Sequence, residues 1–146
     1  WFGLGLVPFA PGTFGTLGAI PLVYLFQRWG EMPYMFAVLL FAVFSIFLAQ
    51  IYEDVVAADH DPSEFVLDEV AGFLVTMTWM PFTWAYLLAG FALFRLFDIV
   101  KPFPISWVDK RVPGGFGAVA DDLLAGILAS IGMQLIFHFQ WLERFA

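Results

Sequence analysis

Four stretches of the chain carry no charged side chain, and the polar residues gather between them. Residues 14–27 are short and contain Pro21. Residues 33–52 span 20 positions, residues 70–94 span 25 and are interrupted by Pro81, and residues 123–142 span 20. About 20 apolar residues carry a helix across a bilayer core. Residues 70–94 allow two readings. As one kinked helix they would hold Asp68 and Asp98 roughly 45 Å apart at 1.5 Å per residue. As a hairpin turning near Pro81 they bring both acids to one side. Trp79 and Trp84 flank that proline, and Trp favours the membrane–water interface, so the hairpin is preferred, although its arms are short for full spans. The pattern predicts an all-α, polytopic membrane helix bundle with four to five hydrophobic helices, one a short Pro-turn hairpin, in a single domain over 1–146. The turns 29–34 and 79–84, with Trp141, then share one face. Segments 8–16, 53–69 and 95–122 share the other.

Composition supports a membrane protein. The 146 residues are 62% hydrophobic and only 13% charged, more apolar surface than a soluble domain of this size can hide. The absence of Cys excludes thiol nucleophiles, thiolate metal sites and disulfides. A net charge of −7 argues against nucleic acid and against simple adhesion to anionic lipid. Arg95, Lys101, Lys110 and Arg111 lie on the second face, against Arg28 and Arg144 on the first, so the positive-inside rule predicts that the second face is cytoplasmic. The chain opens on Trp1 rather than Met, so residues upstream are expected, and its Gly/Pro-rich start does not read as a secretory signal.

The acids change the picture most. Of 13 Asp and Glu residues, 11 fall in two regions: Glu53, Asp54, Asp59, Asp61, Glu64, Asp68 and Glu69, then Asp98, Asp109, Asp121 and Asp122. Carboxylates beside hydrocarbon are costly unless an ion, a base or water compensates them. Several converging on one place imply a bound divalent cation. Asp68 and Glu69 begin a helix, where the dipole alone favours acids; two adjacent acids at a membrane boundary ask for more, such as metal ligation. Asp121 and Asp122, read as opening the last helix after a glycine-rich loop at 114–117, repel one another unless a cation intervenes. Arg95 and Asp98 share a helix face three residues apart. They form either an intrahelical ion pair at the membrane edge or a division of labour, with Asp98 on a metal and Arg95 and Lys101 on phosphate oxygens. Pro102 should end that helix at Lys101. Residues 8–18 run from Pro and Gly into an apolar helix; they are an ordinary helix start or an anion cradle in which Gly12 and Thr13 present amides. His138 reads as bundle packing, and His60 as a loop residue with at most a pH response. No Ser-His-Asp set is plausible, and a carboxylate-bound Mg²⁺ is the chemistry left standing. The rival reading is a carboxylate-lined divalent cation transporter or channel, which would want acids deep in the spans.

Four motifs, in order, resemble the phosphatidylglycerophosphatase A family: Ala-Pro-Gly-Thr-Phe-Gly-Thr at 10–16, Asp-Pro-Ser-Glu-Phe-Val-Leu-Asp-Glu-Val-Ala-Gly at 61–72, Phe-Arg-Leu-Phe-Asp-Ile-Val-Lys-Pro-Phe-Pro-Ile at 94–105 and Gly-Gly-Phe-Gly-Ala-Val-Ala-Asp-Asp-Leu-Leu-Ala-Gly at 114–126. Thr16 stands where Ser is usual. The resemblance covers nearly the whole chain. It implies a bacterial inner-membrane, Mg²⁺-dependent phosphatase that converts phosphatidylglycerol phosphate to phosphatidylglycerol, with no nucleic-acid partner. Combined with the residue chemistry, it makes Asp68, Glu69, Asp98, Asp121 and Asp122 the expected metal ligands. Gly12, Thr13, Arg95 and Lys101 are the expected phosphate contacts. Asp61, Asp68, Asp98 and Asp122 are the expected catalytic carboxylates, with Asp109 a further candidate for base or outer shell.

Overall fold

A computed structural model describes residues 10–55 and 65–139, and among them every regular element is a helix. Seven helices follow in order: α1 (Pro11–Gly18), α2 (Ile20–Gln27), α3 (Glu31–Val55), α4 (Leu67–Thr76), α5 (Trp84–Val100), α6 (Ile105–Arg111) and α7 (Gly114–His138). The expectation of four to five hydrophobic helices therefore undercounts. Residues 14–27 are two helices, because Pro21 has no N–H to continue the ladder and sits in the first turn of α2. The last helix also starts earlier than residue 123. Pro113, extended at φ −76° and ψ 166°, launches α7 at Gly114, so Asp121 and Asp122 lie two turns inside it.

Residues 70–94 form a hairpin, not one helix. α4 ends at Thr76 and α5 begins at Trp84. The Phe73 and Phe94 rings meet at 6.3 Å, and the backbone at Gly90 lies against Met77, so the two helices run antiparallel. The turn between them is tied down by side chains from elsewhere. Gln27 Nε2 donates to the Met80 carbonyl at 2.9 Å, and Gln134 Nε2 to that of Thr78 at 3.4 Å. The Tyr34 hydroxyl donates to the Leu74 carbonyl at 2.6 Å. These bonds satisfy carbonyls that a short buried helix leaves unpaired at its end.

α7 is the central rod, packed against α3, α4, α5 and α6. α4 is its closest partner and is buried on nearly every side. The two run side by side in the same direction, with Gly72 against Gly126. A Cβ built on Gly126 would strike the Gly72 carbonyl oxygen, so only glycine allows the crossing. Thr76 Oγ1 sits at this contact and donates to the Gly72 carbonyl at 3.0 Å. The two look-alike segments, Asp68-Glu69 before Gly72 and Asp121-Asp122 before Gly126, therefore stand back to back.

α3 and α7, 25 residues each, are long and apolar enough to cross a membrane. The outward side of α3 presents Phe36, Leu39, Leu40, Val43, Phe44 and Phe47, all exposed. At one end of the bundle Trp79 and the 80–82 turn gather beside Gly30 and Glu31. The other end holds the carboxylates of α4 and α7.

Candidate active site

Three carboxylates come together where α4 and α7 cross. Asp68, Glu69 and Asp122 each offer an oxygen within 4.8 Å of the others'. The glycine crossing is the cause: it brings the two backbones close enough for short Asp side chains to meet one helical turn earlier. Both acidic pairs are shaped locally in the same way. The Glu69 amide donates to Asp68 Oδ1 and the Asp122 amide to Asp121 Oδ1, each at 3.0 Å. Asp122 is only 5% exposed. The charges of Asp68, Asp98, Glu69 and Asp121 all act on it. Glu69 Oε2 is buried without a hydrogen-bond partner.

Cations flank this cluster. Arg95 Nη1 donates to Asp98 Oδ2 at 2.6 Å, closing the i,i+3 pair that the sequence offered. Arg95 Nε remains buried and unpartnered. α1 forms the roof: a Cβ on Gly12 would collide with Glu69 Oε1 and come within 3.0 Å of Arg95 Nη1. A side chain at this position would push the Glu69 carboxylate out of its present place in the cluster.

Lys101 ends α5 in the left-handed region, at φ 47°, and its amide donates to the Phe97 carbonyl at 2.8 Å. This places its ammonium between Asp109 and Asp121, both of which accept hydrogen bonds from it. Burial works against the charge of Lys101, but the two carboxylates outweigh it and hold the ammonium above the usual lysine range. In return Lys101 holds the Asp109 carboxyl below the usual aspartate range.

The expected site residues thus separate. Asp68, Glu69 and Asp122 form one cluster. Asp98 and Asp121, expected among the metal ligands, stand outside it, Asp98 bound to Arg95 and Asp121 to Lys101. Gly12 lies against the cluster, but the Thr13 amide donates to the Ala10 carbonyl at 3.0 Å and is not free for an anion. Asp61 lies outside the described residues, as does His60. Gly114 to Gly117, expected as a loop, are the first turn of α7.

A family model for phosphatidylglycerophosphatase A matches residues 1–137. The chain belongs to the phosphatidylglycerophosphatase A family. Among the relatives, a phosphatidylglycerophosphatase A of Escherichia coli is 37% identical over 139 residues, covering 94% of this chain and 80% of its own length. One from Haemophilus influenzae is 39% identical over 145 residues, covering 96% and 85%. A Bacteroides thetaiotaomicron protein with a provisional phosphatidylinositol-3-phosphatase name is 36% identical over 145 residues, covering 89% and 85%. No solved structure matches the chain.

Sequence reasoning gave no role to Glu53 at this family member's acidic end. Glu53, in the last turn of α3, lines a cavity together with Asp68. The available signal was its place as the first charge after the apolar stretch 33–52, facing the same end as the other acids.

Proposed function

We propose that this family member removes the terminal phosphate of phosphatidylglycerol phosphate with Mg²⁺ as cofactor. It would work in the bacterial inner membrane with the acidic end facing the cytoplasm. The observation that carries this reading is the Asp68, Glu69 and Asp122 cluster within 4.8 Å, with the unpartnered Arg95 Nε close by. At an effective dielectric of about 20, two carboxylate charges 4.8 Å apart repel by roughly 3.5 kcal/mol. Three such charges need a cation to coexist. An all-oxygen donor set suits a hard divalent ion, and the orphaned Glu69 Oε2 supplies a lone pair for it. Bound there, Mg²⁺ would offset the phosphate dianion and acidify a water for attack on phosphorus.

The chain's own side chains supply the rest. Asp98 grips Arg95 through Nη1, which fixes the guanidinium and leaves its other donors for phosphate oxygens. Lys101 has three N–H donors, two of them held by Asp109 and Asp121, so one remains for the substrate. Asp121 in this account anchors Lys101 rather than binding metal. Gly12 lets the α1 backbone lie close over Glu69 and Arg95. Water adds to phosphorus, the bond to the lipid glycerol oxygen breaks, and that oxygen leaves as the alcohol of phosphatidylglycerol. The apolar outer faces of α3 and α7 support a bilayer location, and the basic residues near the acids support the cytoplasmic side. Neither the family match nor the geometry favours a cation transporter.

The test is phosphate release from this lipid in detergent, with and without chelator. Release that Mg²⁺ restores after chelation is expected. Activity surviving thorough chelation would end the metal assignment, and no release at all would end the substrate assignment.

A further inference from the structure

A cavity of about 270 Å³ opens beside the carboxylate cluster, between the end of α3, the start of α4 and the first turn of α7. Tyr52, Phe65, Gly114 and Gly115 shape it, and Asp68 forms the wall shared with the cluster. The Tyr52 and Phe65 rings stand 5.6 Å apart and make that side apolar. Glu53, the next residue after Tyr52, reaches the start of α7: a Cβ on Gly114 would lie 3.2 Å from Glu53 Oε2.

The lining decides what fits. Among the described residues two carboxylates and no cation border the cavity, so a second phosphate is repelled. A short carbon chain bearing a hydroxyl is accommodated: its carbons meet the rings and its O–H donates to a carboxylate. The substrate proposed above has such a piece, a glycerol linker with one free hydroxyl between its two phosphates. With the terminal phosphate at the cluster, the linker is the next group along, and Asp68 joins the two spaces. We propose that this cavity seats the glycerol linker and that Glu53 accepts a hydrogen bond from its free hydroxyl, making Glu53 a specificity-determining residue. The assignment rests on the function proposed above. The purely structural alternative is that Glu53 only complements the positive end of α7.

The experiment compares two lipids in detergent with Mg²⁺: phosphatidylglycerol phosphate and its analogue lacking only the linker hydroxyl. Glu53 is exposed, so the gain is that of one hydrogen bond to a charged acceptor, and wild type should prefer the natural lipid by about fivefold in kcat/KM, mostly through KM. Glu53→Ala should slow on the natural lipid to the analogue's rate and lose the preference. Glu53→Gln, which keeps an acceptor oxygen, should retain part of it. A wild type indifferent to the hydroxyl, or a preference that survives in Glu53→Ala, would overturn the proposal. So would an equal loss on both lipids, which is the mark of a structural role. Those failures leave chelator-sensitive phosphate release intact. Absence of release from either lipid by wild type would instead overturn the function, and this inference with it.

Discussion

Replacing Gly126 by Ala tests whether helix packing sets the geometry of the carboxylate cluster. The new Cβ would land on the Gly72 carbonyl oxygen and lie 3.0 Å from its carbon. The reciprocal Gly72→Ala places a Cβ 2.6 Å from the Asp122 carbonyl oxygen and 2.5 Å from a Phe94 ring carbon. These obstacles are backbone and an aromatic ring fixed in the core, so neither can step aside. To restore ordinary contact α4 and α7 must part by about 0.8 Å or more. Asp68 and Glu69 ride on one helix and Asp122 on the other, so that displacement enters the cluster directly. A misplacement near 1 Å costs about 100-fold in rate where geometry matters. Overpacking itself costs about 1–3 kcal/mol of stability. Gly90→Ala is the control, because its Cβ meets the Met77 sulfur at 2.8 Å, on a side chain that can move. Gly126→Ala should weaken Mn²⁺ binding, read by electron paramagnetic resonance, and lower phosphate release about 100-fold, while Gly90→Ala stays near wild type. A folded Gly126→Ala with unchanged Mn²⁺ affinity and rate would refute the reasoning.

Asp68→Asn and Asp122→Asn should each cut phosphate release at least 100-fold and loosen Mn²⁺, since each removes one anionic ligand; full rate in both would show that the site is misassigned. Lys101→Met leaves Asp121, whose side chain is 6% exposed, without its cation and should cost about 2–3 kcal/mol in detergent melts; adding Asp121→Asn should recover part of it. The Asp109 carboxyl is held below its ordinary value, so its bond to Lys101 stabilises the fold above the usual Asp range near 4 and is lost as pH falls through the lowered value. Melts of wild type and Asp109→Asn should therefore differ at neutral pH and converge in strong acid. The chain has no Cys, so single cysteines at Asp54 and Trp29 can be labelled from either side of the membrane; Asp54→Cys should react only from the cytoplasm and Trp29→Cys only from the opposite side.

The hairpin at Pro81 was legible in the sequence because two Trp residues flank the turn and the acids on either side of 70–94 had to meet. The termination of α5 at Lys101 was legible from Pro102. The start of α7 was not. Reading boundaries from the absence of charge put Asp121 and Asp122 at its beginning, whereas a helix can carry an acid two turns in when a cation from another element meets it, as Lys101 meets Asp121. The glycines at 114–117 read as loop because the same residue serves flexibility and close packing, and only the neighbouring backbone of α3 tells the two apart. Single-residue chemistry could not divide the acids. Asp98 and Asp121 have the same side chain as Asp122, and it is the positions of Arg95 and Lys101 in space that take the first two out of the cluster. The occupied Thr13 amide and the place of Glu53 likewise depend on partners distant in sequence or on a turn that no pattern marks.

The most direct test of the account is a crystal soaked in Mn²⁺ and read by anomalous scattering. Manganese should bond to oxygens of Asp68, Glu69 and Asp122, at the level where α4 and α7 cross. Manganese bound elsewhere, with that cluster empty while phosphate release still depends on the metal, would contradict it.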